Sequence, residues 1–455
     1  MYFKDLNSSK TIGANSLLVS IGSFNMVIDA GMDPKLAGLK ALPNFDQIEK
    51  FSLDLVMVTH CHLDHIGSLP ILLRDQPQAR VLLSPSSRLI LPIMLDNTIT
   101  VMKHQRDERG IKEYPLYGKT EVSALEEFFI EMPNGRTKIF KKLNDEIRIT
   151  FVHDGHICGA SGVLIEHKHR KIFFSGDVLF RDQMTLPGAL WPDEKLDVLV
   201  METTRGNVER PNKHSIQQEI NSLISRVNIT IENGGSVLIP SFALGRMQEI
   251  LSILNDAKKK KQLLKNVRIV CSGLGLTLID AFDKISKKHG LINFKKSVLR
   301  DLNVKPLIKI EHLSPNQKPA EPTIFVVSSG MMTENTPSYN IAACLLNDSN
   351  NSICFVGYCD KDTPGGKLLT TAKGHSFFFD TLNKSIGINA HVEYFDLSGH
   401  AERDELLQHA IDFNPRAIVL THGEDASREW FFDELLDRSP NIKIVNPDVG
   451  VEYNI

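Results

Sequence analysis

The sequence has few cysteines, and they are not arranged as a disulfide scaffold. The six cysteines in 455 residues form no CxxC pair and no evenly spaced framework, which is typical of a chain in a reducing compartment. The amino terminus lacks a charged segment followed by an apolar one, so we expect no signal peptide. No apolar run approaches the roughly 18–20 residues that a membrane span requires. We therefore expect a cytoplasmic protein with no membrane partner.

Strong net charge, internal repeats and low-complexity segments are also absent. The formal net charge of −3 decides nothing about partners by itself. A hydrophobic content of 42% and a charged content of 24% are ordinary for a globular protein. The chain is longer than one hydrophobic core usually reaches, so the length predicts two domains.

Positive charge is nevertheless concentrated in one stretch. Residues 258–309 contain 14 lysines and arginines but only three acidic residues. Such a stretch can neutralise phosphates, which favours a nucleic-acid partner. A solvated helix face is the alternative, and "DAKKKKQ" taken alone fits it. Both interpretations stay open at this point.

Short apolar runs alternate with turns through the first 200 residues. They include "SLLVSIG", "MVIDAG", "LVMVTH", "RVLLSP", "IRITFVH", "GVLIEH", "KIFFSGD" and "LDVLVMETT". Runs of this length, rich in Val, Ile and Phe, predict buried strands. Several end in a polar residue with possible chemistry: Asp29, His60, His156, Asp177 and Glu202. Loops at strand ends commonly carry function, so the pattern predicts a layered α/β protein.

The pattern changes after about residue 206. "SIQQEINSLISRVNITIENGG" has helical spacing and ends in a glycine pair. The runs "SVLIP", "VRIVCSG" and "TIFVVSSG" alternate with helical segments, which predicts a mostly parallel sheet. The last 80 or so residues return to the first pattern, so we predict that a second α/β domain interrupts the first.

The segment "VTHCHLDHIGSLP" predicts a metal site. It places His60, His62, Asp64 and His65 within six positions, and imidazole nitrogens and carboxylate oxygens suit zinc. In an extended segment His60 and His62 share one face, while the following turn directs Asp64 and His65 to a neighbouring position. Two ions are therefore more plausible than one. Cys61 points to the opposite face and is interpreted as packing.

Further ligand candidates lie at other strand ends. They are His153, His156, Asp177 and His422. We interpret His153 as a framework residue, since it is out of register with His156. Asp177 follows an apolar run and a glycine, and could bridge two ions with its two oxygens. Each of these residues, taken alone, could equally be structural.

Together these motifs resemble the metallo-β-lactamase superfamily. Asp29 in "VIDAG", "THCHLDH", "HDGHICGAS" and "FSGD" occur in the expected order. "METTRGN", "VLIPSFALGRMQEIL", "SSGMM", "FDLSGHAERDEL" and "LTHGE" narrow the resemblance to the β-CASP subgroup. That subgroup includes the cleavage-and-polyadenylation endonuclease and prokaryotic ribonucleases. The resemblance covers nearly the whole chain, but no RNA-binding KH segment is recognisable. Whether the chain forms a homodimer is left open.

The resemblance implies a fold and a domain order. The fold is an αββα metallo-β-lactamase sandwich with an inserted α/β β-CASP cap. Residues 1–206 would form the first part of the lactamase domain, residues 207–373 the cap, and residues 374–455 the second part of the lactamase domain.

The resemblance also implies two Zn²⁺ ions per chain and their ligands. One ion would bind His60, His62 and His156, the other would bind Asp64, His65 and His422, and Asp177 would bridge them.

Catalytic roles follow from the same resemblance. They would fall to Asp29, Asp64, Glu202 and His400. Asp29 would orient the ligands from behind them. Glu202 would orient His400 and raise its pKa, so that His400 can donate a proton to the leaving oxygen.

The implied function is a zinc-dependent ribonuclease that hydrolyses phosphodiester bonds of single-stranded RNA by a two-metal mechanism. The cut could be endonucleolytic, 5′–3′ exonucleolytic or both. A histidine at position 422 favours RNA, since DNA-acting relatives often carry valine there. Phosphates would be gripped by Arg246 and by the "SSGMM" residues Ser328, Ser329 and Gly330.

Three alternatives stay open. A small-molecule metallohydrolase acting on an ester, thioester or lactam explains the first four motifs, but not the long insertion, Glu202 or His400. A DNA-acting nuclease would share most of the motifs. An inactive relative that binds RNA or a partner without cutting is disfavoured by the intact set of candidate ligands.

Overall fold

The apolar runs of the first 200 residues form strands, as predicted. The computed structural model describes residues 1–208, 215–307 and 319–455. The strands of this first region, β1 to β11, are Tyr2–Asp5, Leu17–Ile21, Phe24–Ile28, Leu55–Met57, Arg80–Leu83, Phe129–Glu131, Thr137–Lys142, Asp145–His153, Ser161–His167, Arg170–Phe174 and Val198–Glu202.

Four helices accompany these strands, and the longest has clear end signals. Helices α1 to α4 are Leu63–Ile66, Leu69–Asp75, Pro85–Arg109 and Lys119–Ala124. The Ser84 hydroxyl accepts a hydrogen bond from the Ser87 amide at the start of α3. Gly110, with φ of 69°, ends that helix. Among the described residues, no helix combines the length and apolarity needed to cross a membrane.

The chain returns to the first region near its end. Strands β20 to β22 are Ala417–Thr421, Lys443–Val445 and Glu452–Asn454, and helices α11 and α12 are Arg403–Phe413 and Asp425–Arg438. One sheet has the order β22-β1-β2-β3-β4-β5-β6, and the other has the order β21-β20-β11-β10-β9-β8-β7.

These two sheets pack face to face around a common core. Met26 and Leu55 of the first sheet share a buried cluster with Phe151 and Val163 of the second. The outer face of the second sheet is covered by α11 and α12, whose buried leucines and Phe431 pack on it. The two sheets thus form the sandwich of the predicted αββα fold.

The middle of the chain forms a separate parallel sheet. Its helices, α5 to α10, are Ile216–Glu232, Arg246–Lys259, Gly273–His289, Ser297–Asp301, Pro337–Leu345 and Pro364–Thr370. Its strands, β12 to β19, are Val237–Pro240, Arg268–Cys271, Val304–Pro306, Thr323–Val327, Ser352–Phe355, Ser376–Phe379, Lys384–Gly387 and His391–Tyr394. Six of them form an all-parallel sheet in the order β14-β13-β15-β12-β16-β19. The predicted second α/β domain is confirmed in its type.

The chain divides into two compact units. The first comprises Met1–Asp182, Gly188–Arg210 and His400–Ile455, and the second comprises Gln183–Pro187 and Pro211–Gly399. The sequence pattern predicts that residues 374–399 belong to the lactamase domain. In the structure they lie in the second unit, where β19 pairs with β16. The domain boundaries at 206/207 and 373/374 stay predictions.

The strand pairing of the first unit gathers polar residues at one edge of each sheet. β3 and β4 run parallel, as do β10, β11 and β20. Carboxyl ends of parallel strands meet at the same edge. Asp29 directly follows β3, Glu202 ends β11 and His422 directly follows β20. The fold therefore carries these side chains toward one another before any local loop geometry is considered.

The sandwich core predicts a large cost for truncating Phe151, which is fully buried between the sheets. Phe151→Ala should lower the free energy of unfolding of the first unit by about 3–5 kcal/mol, through lost burial and a cavity. Urea denaturation measures this. The matched control is Phe51→Ala in the same unit, where the side chain is 67% exposed and the expected change is within about 0.5 kcal/mol. Equal shifts for both variants would contradict the packing.

Candidate metal centre

The His60–His65 segment follows β4 after two intervening residues and turns into α1 after His62, whose backbone is extended. His62 has φ of −69° and ψ of 155°, and α1 begins at Leu63. His60 Nε2 lies 3.1 Å from His62 Nδ1. His60 and His65 are fully buried. The predicted face shared by His60 and His62 is therefore present.

A first group of donors forms around His62. His156 Nε2 lies 3.2 Å from His62 Nδ1. Asp177 Oδ2 lies 3.5 Å from His60 Nε2 and 3.6 Å from His156 Nε2. These four residues can together surround one ion.

A second group forms around His422, which arrives from 357 positions further along the chain than His65. His65 Nε2 and His422 Nε2 are 3.1 Å apart, and Asp64 Oδ2 lies 3.4 Å from His422 Nε2. Asp177 Oδ2 is also only 3.6 Å from His65 Nε2. Asp177 thus lies between both groups.

The donor set fits metal ions. Nitrogens bound to one tetrahedral zinc ion at about 2.0–2.1 Å would lie about 3.3–3.4 Å apart, close to the 3.1 and 3.2 Å between these imidazole nitrogens. Asp177 Oδ1 is buried and accepts no hydrogen bond from the described residues, although His422 Nδ1 is 3.2 Å away. A buried carboxylate oxygen without a hydrogen bond is an available ligand for a cation. The cluster can therefore hold metal.

Burial and the neighbouring charges shift the pKa values of the cluster residues in different directions. Burial and the neighbouring imidazoles hold the pKa of His60 well below its usual value. Burial also opposes a charge on His65, but the carboxylates of Asp177, Asp29 and Asp64 raise its pKa to about 10. Burial raises the pKa of Asp177 in spite of the nearby histidines. A bound cation would relieve the cost of burying these carboxylates.

Asp29 supports the cluster from behind. Its Oδ2 lies 2.8 Å from His65 Nδ1, so this bond leaves His65 Nε2 directed at the second group. The amide and the hydroxyl of Thr59 donate to the two Asp29 oxygens at 2.8 and 2.7 Å. Asp29 is itself fully buried and has φ of 61°. Its contacts are those of a residue that orients a ligand.

Thr204 has a similar position beside His422, and sequence reasoning missed it. Thr204 Oγ1 lies 3.0 Å from His422 Nδ1, and the Thr203 amide donates to the His422 carbonyl at 3.0 Å. His422 has φ of 47°, which is uncommon for a residue other than glycine. The threonine pair in "METTRGN", directly after Glu202, is the sequence signal for this contact.

Glu202 and His400 form a buried pair next to the donors. His400 Nδ1 lies 3.1 and 3.2 Å from the two Glu202 oxygens, and the Val178 amide donates to Glu202 Oε1 at 2.7 Å. Burial opposes both charges, but His400 lowers the pKa of Glu202 to about 2, and Glu202 raises the pKa of His400. The His400 ring lies 4.6 Å from that of His156. The predicted carboxylate–histidine pair is present in the structure.

Two other candidates from the sequence lie outside both ligand groups. His153 ends β8 and is absent from the donor groups, which agrees with its interpretation as framework. The Cys61 thiol is fully buried and donates to the Ser87 carbonyl at 3.6 Å. Burial raises the pKa of Cys61 to about 12, which disfavours a thiolate ligand.

The four predicted substrate-binding residues all lie in the second unit. Arg246 begins α6 and is 5% exposed, and its Nη2 donates to Gln183 Oε1 at 2.6 Å. Ser328, Ser329 and Gly330 follow β15. The Ser272 hydroxyl accepts from the Ser328 amide at 3.1 Å. A role for these four in substrate binding stays a prediction.

The fold and the cluster first define a class: a sandwich protein of αββα type whose strand ends assemble a histidine–aspartate metal site. Three family models match the chain. The metallo-beta-lactamase superfamily model matches residues 10–232, the Beta-Casp domain model matches 247–368, and the model described as Zn-dependent metallo-hydrolase RNA specificity domain matches 385–447. The chain belongs to the metallo-beta-lactamase superfamily and carries a Beta-Casp domain, as its motifs indicate.

Individual relatives are similar along nearly the whole chain. Cleavage and polyadenylation specificity factor 73 of Drosophila melanogaster is 26% identical, over 98% of this chain and 64% of that protein. Endoribonuclease YSH1 of Eremothecium gossypii is 27% identical, over 99% of this chain and 58% of that protein. Probable RNase MJ4 of Methanocaldococcus jannaschii is 26% identical, over 98% and 97%. The chain thus spans less than two thirds of the two eukaryotic relatives and nearly all of the archaeal one.

A solved structure supports the fold alone. The crystal structure of a protein of unknown function from Enterococcus faecalis V583 aligns with a TM-score of 0.56 and 13% identity, over 99% of each chain. At that identity the likeness carries no information about activity.

The first donor group predicts which substitution removes metal. His62→Ala removes the nitrogen that lies 3.1 Å from His60 Nε2 and 3.2 Å from His156 Nε2. The purified variant should retain half or less of the wild-type metal, because a site that loses one of its few ligands binds weakly. Inductively coupled plasma mass spectrometry measures the content. His104→Ala, an exposed histidine on α3, is the matched control and should keep all of it. Full metal content in His62→Ala would contradict the assignment.

Proposed function

We propose that this protein is a zinc-dependent ribonuclease that hydrolyses phosphodiester bonds of single-stranded RNA. The observation that carries the proposal is the pairing of two donor groups around Asp177 with the Glu202–His400 pair in the same unit. Two relatives are named as an endoribonuclease and a probable RNase. The match of residues 385–447 to a domain described by RNA specificity also supports an RNA substrate.

Two zinc ions are the proposed cofactors. His60, His62 and His156 would hold one, Asp64, His65 and His422 the other, and Asp177 would be shared. Nitrogen-rich and carboxylate ligands of this kind suit zinc. When bound, such ions supply Lewis acidity to the phosphoryl group and a nucleophile at neutral pH.

His400 is the proposed general acid. Its Nδ1 is engaged by Glu202, so the proton that it gives to the leaving 3′-oxygen comes from Nε2. The raised pKa of His400 favours the protonated ring that this step needs. Cleavage would leave a 5′-phosphate on the product, in either an endonucleolytic or a 5′–3′ exonucleolytic mode.

Glu202 and Asp29 are proposed as positioning residues. Glu202 holds Nδ1 of His400 and is itself held by the Val178 amide. Asp29 holds Nδ1 of His65. Asp64 is proposed both as a ligand of the second ion and, through that ion, as one of the catalytic residues.

Grip on the RNA is assigned to the second unit. We keep Arg246, Ser328, Ser329 and Gly330 as candidates, since they lie at the carboxyl edge of the parallel sheet, where ligands of such sheets commonly bind. A cytoplasmic location and a homodimer stay predictions.

A comparison of three substrates tests the activity. Zinc-loaded wild-type protein should cleave single-stranded RNA, and both EDTA and His62→Ala should abolish this cleavage, because the metal ligands are lost in each case. Matched single-stranded DNA and a chromogenic lactam are assayed in parallel by product formation. His104→Ala should cleave RNA at the wild-type rate. Cleavage of the lactam alone, or of DNA in preference to RNA, would overturn the proposal.

A comparison of two substrates with different leaving groups tests the role of His400. His400→Ala should slow RNA cleavage by about 10²–10⁴-fold, the usual contribution of a general acid. The same variant should hydrolyse bis(p-nitrophenyl) phosphate at nearly the wild-type rate, because nitrophenolate leaves without protonation. Its zinc content should stay at the wild-type level.

If Glu202 positions His400, Glu202→Gln should slow RNA cleavage less than His400→Ala does, since the amide oxygen can still accept a hydrogen bond from His400. Hydrolysis of bis(p-nitrophenyl) phosphate by Glu202→Gln should stay near the wild-type rate. Equal losses on both substrates, or loss of zinc, would show that the pair maintains the site instead of supplying a proton.

A further inference from the structure

One end of the second unit carries a large excess of positive charge. Residues 258–307 contain thirteen lysines and arginines and three aspartates. The fourteenth basic residue of the sequence stretch, Lys309, lies outside the described residues. The stretch covers the end of α6, then β13, α7, α8 and β14.

The topology collects these residues at one edge of the parallel sheet. Helix α6 connects β12 to the β13 region, and α7 leads from β13 toward β14, so both helices run opposite to their strands. Their carboxyl ends therefore lie at the edge where the strands begin. Two contacts join the elements there. Lys258 Nζ donates to the Asp301 carbonyl of α8 at 2.6 Å, and Lys296 Nζ lies 2.6 Å from Asp280 Oδ1 of α7.

The acidic residues of this edge are already engaged. Asp280 pairs with Lys296 and Asp283 with Lys287, each at 2.6 Å. Asp301 accepts from Arg300 at 3.4 Å. Acidic residues from outside the stretch pair with Lys260 and Arg268. No acidic group within the described ranges forms an ion pair with a remaining set of exposed lysines, which we name the basic face: Lys259, Lys261, Lys265, Lys284, Lys288, Lys295 and Lys305.

Helix stability accounts for only part of the basic face. Lys259 and Lys288 lie in the last turns of α6 and α7, where a cation interacts favourably with the helix dipole. Lys265, Lys295 and Lys305 lie outside the helices. Like charges brought together without partners repel one another, so their accumulation favours an external polyanion.

The character of the face favours nucleic acid over an acidic protein. The large hydrophobic residue that residues 258–307 expose in the structure is Leu291, at 46%. Protein interfaces generally need an apolar centre with aromatic residues. Phe282 and Phe294 of the same stretch are buried, so these two rings are not exposed for base stacking. What the face offers is lysine ammonium groups for phosphates, which is binding without sequence preference.

We propose that the basic face is a second RNA-binding surface, which holds the phosphates of RNA chain beyond the part gripped near Arg246. This inference rests on the proposed ribonuclease function for the identity of the polyanion. Lys259 and Arg246 are at opposite ends of α6, about 20 Å apart at 1.5 Å per residue. Only an RNA long enough to reach that far gains affinity. Because the contact is the same before and during cleavage, it lowers KM and leaves kcat unchanged.

The test is a triple charge reversal with a control of equal net charge. The test variant is Lys265→Glu/Lys295→Glu/Lys305→Glu, two loop residues and one in the edge strand β14. The control is Lys112→Glu/Lys138→Glu/Lys195→Glu in the first unit, again two exposed loop residues and one in an edge strand, β7. Circular dichroism and zinc content check that both variants fold.

Two measurements are made on each protein. Fluorescence anisotropy in EDTA gives the Kd for labelled RNAs of about 5 and about 30 nucleotides, the first near the lower end of typical single-strand site sizes of about 4–16 nucleotides and the second well above them. Steady-state cleavage of both RNAs with zinc gives KM, kcat and their salt dependence. Binding in EDTA does not require cleavage, so absence of cleavage by the wild type would count against the proposed function alone.

The expected result is specific to the long RNA. The Kd and the KM of the test variant for the long RNA should rise about 10- to 100-fold, with kcat unchanged. The slope of log affinity against log salt concentration should become shallower by about 2, which is about 0.7 for each lost phosphate contact. The short RNA and the control variant should change less than about twofold. Equal weakening in the control would overturn the proposal in favour of a general charge effect. Unchanged affinity for the long RNA would overturn it too, and binding of polyglutamate in its place would identify an acidic protein partner.

Discussion

The packing of several imidazoles around one buried carboxylate is the constraint on which the rest of the first unit depends. Asp177 Oδ2 lies within 3.6 Å of ring nitrogens of His60, His65 and His156. Outside water, imidazole lone pairs and a carboxylate at such distances are costly unless a cation or protons bind them. The surrounding fold must therefore hold these side chains against their tendency to separate, and binding of a cation offsets that cost.

The sandwich satisfies this requirement through strand register. Parallel pairing of β10, β11 and β20 places Asp177, Glu202 and His422 at one sheet edge, while the facing sheet supplies Asp29 and the His60–His65 segment. A closely packed apolar core between the sheets holds both edges in place. Hydrogen bonds from Asp29 and Thr204 then set the ring orientation of His65 and His422. Rigidity on this scale keeps donors within the tolerance of a few tenths of an ångström that metal coordination demands.

The two proposed sites have separate tasks: the metal cluster with His400 would carry out the cleavage, and the basic face would add affinity for RNA. The metal-ligand candidates and the proposed proton donor, His400, lie in the first unit, where small displacements would be expected to change kcat. The basic face lies in the second unit, at the end of its sheet opposite the carboxyl edge, and its charges would act on phosphates without sequence preference. An arrangement of this kind would let one site act on RNAs of different sequence while RNA length sets the affinity.

The sequence by itself determined the local elements, the class of fold and the identity of the ligand candidates. Buried strands and amphipathic helices follow from the periodicity of apolar residues, and an ordered set of motifs such as "THCHLDH" is specific because metal chemistry tolerates few residue types. The tertiary structure alone decided which contacts long-range pairing creates. Examples are the 3.0 Å approach of Thr204 to His422, the pairing of β19 with β16, and which lysines of the basic stretch form no ion pair with the acidic residues that the structure describes. Those contacts join residues far apart in the chain, and their distances depend on the packing of whole sheets, which no local pattern encodes.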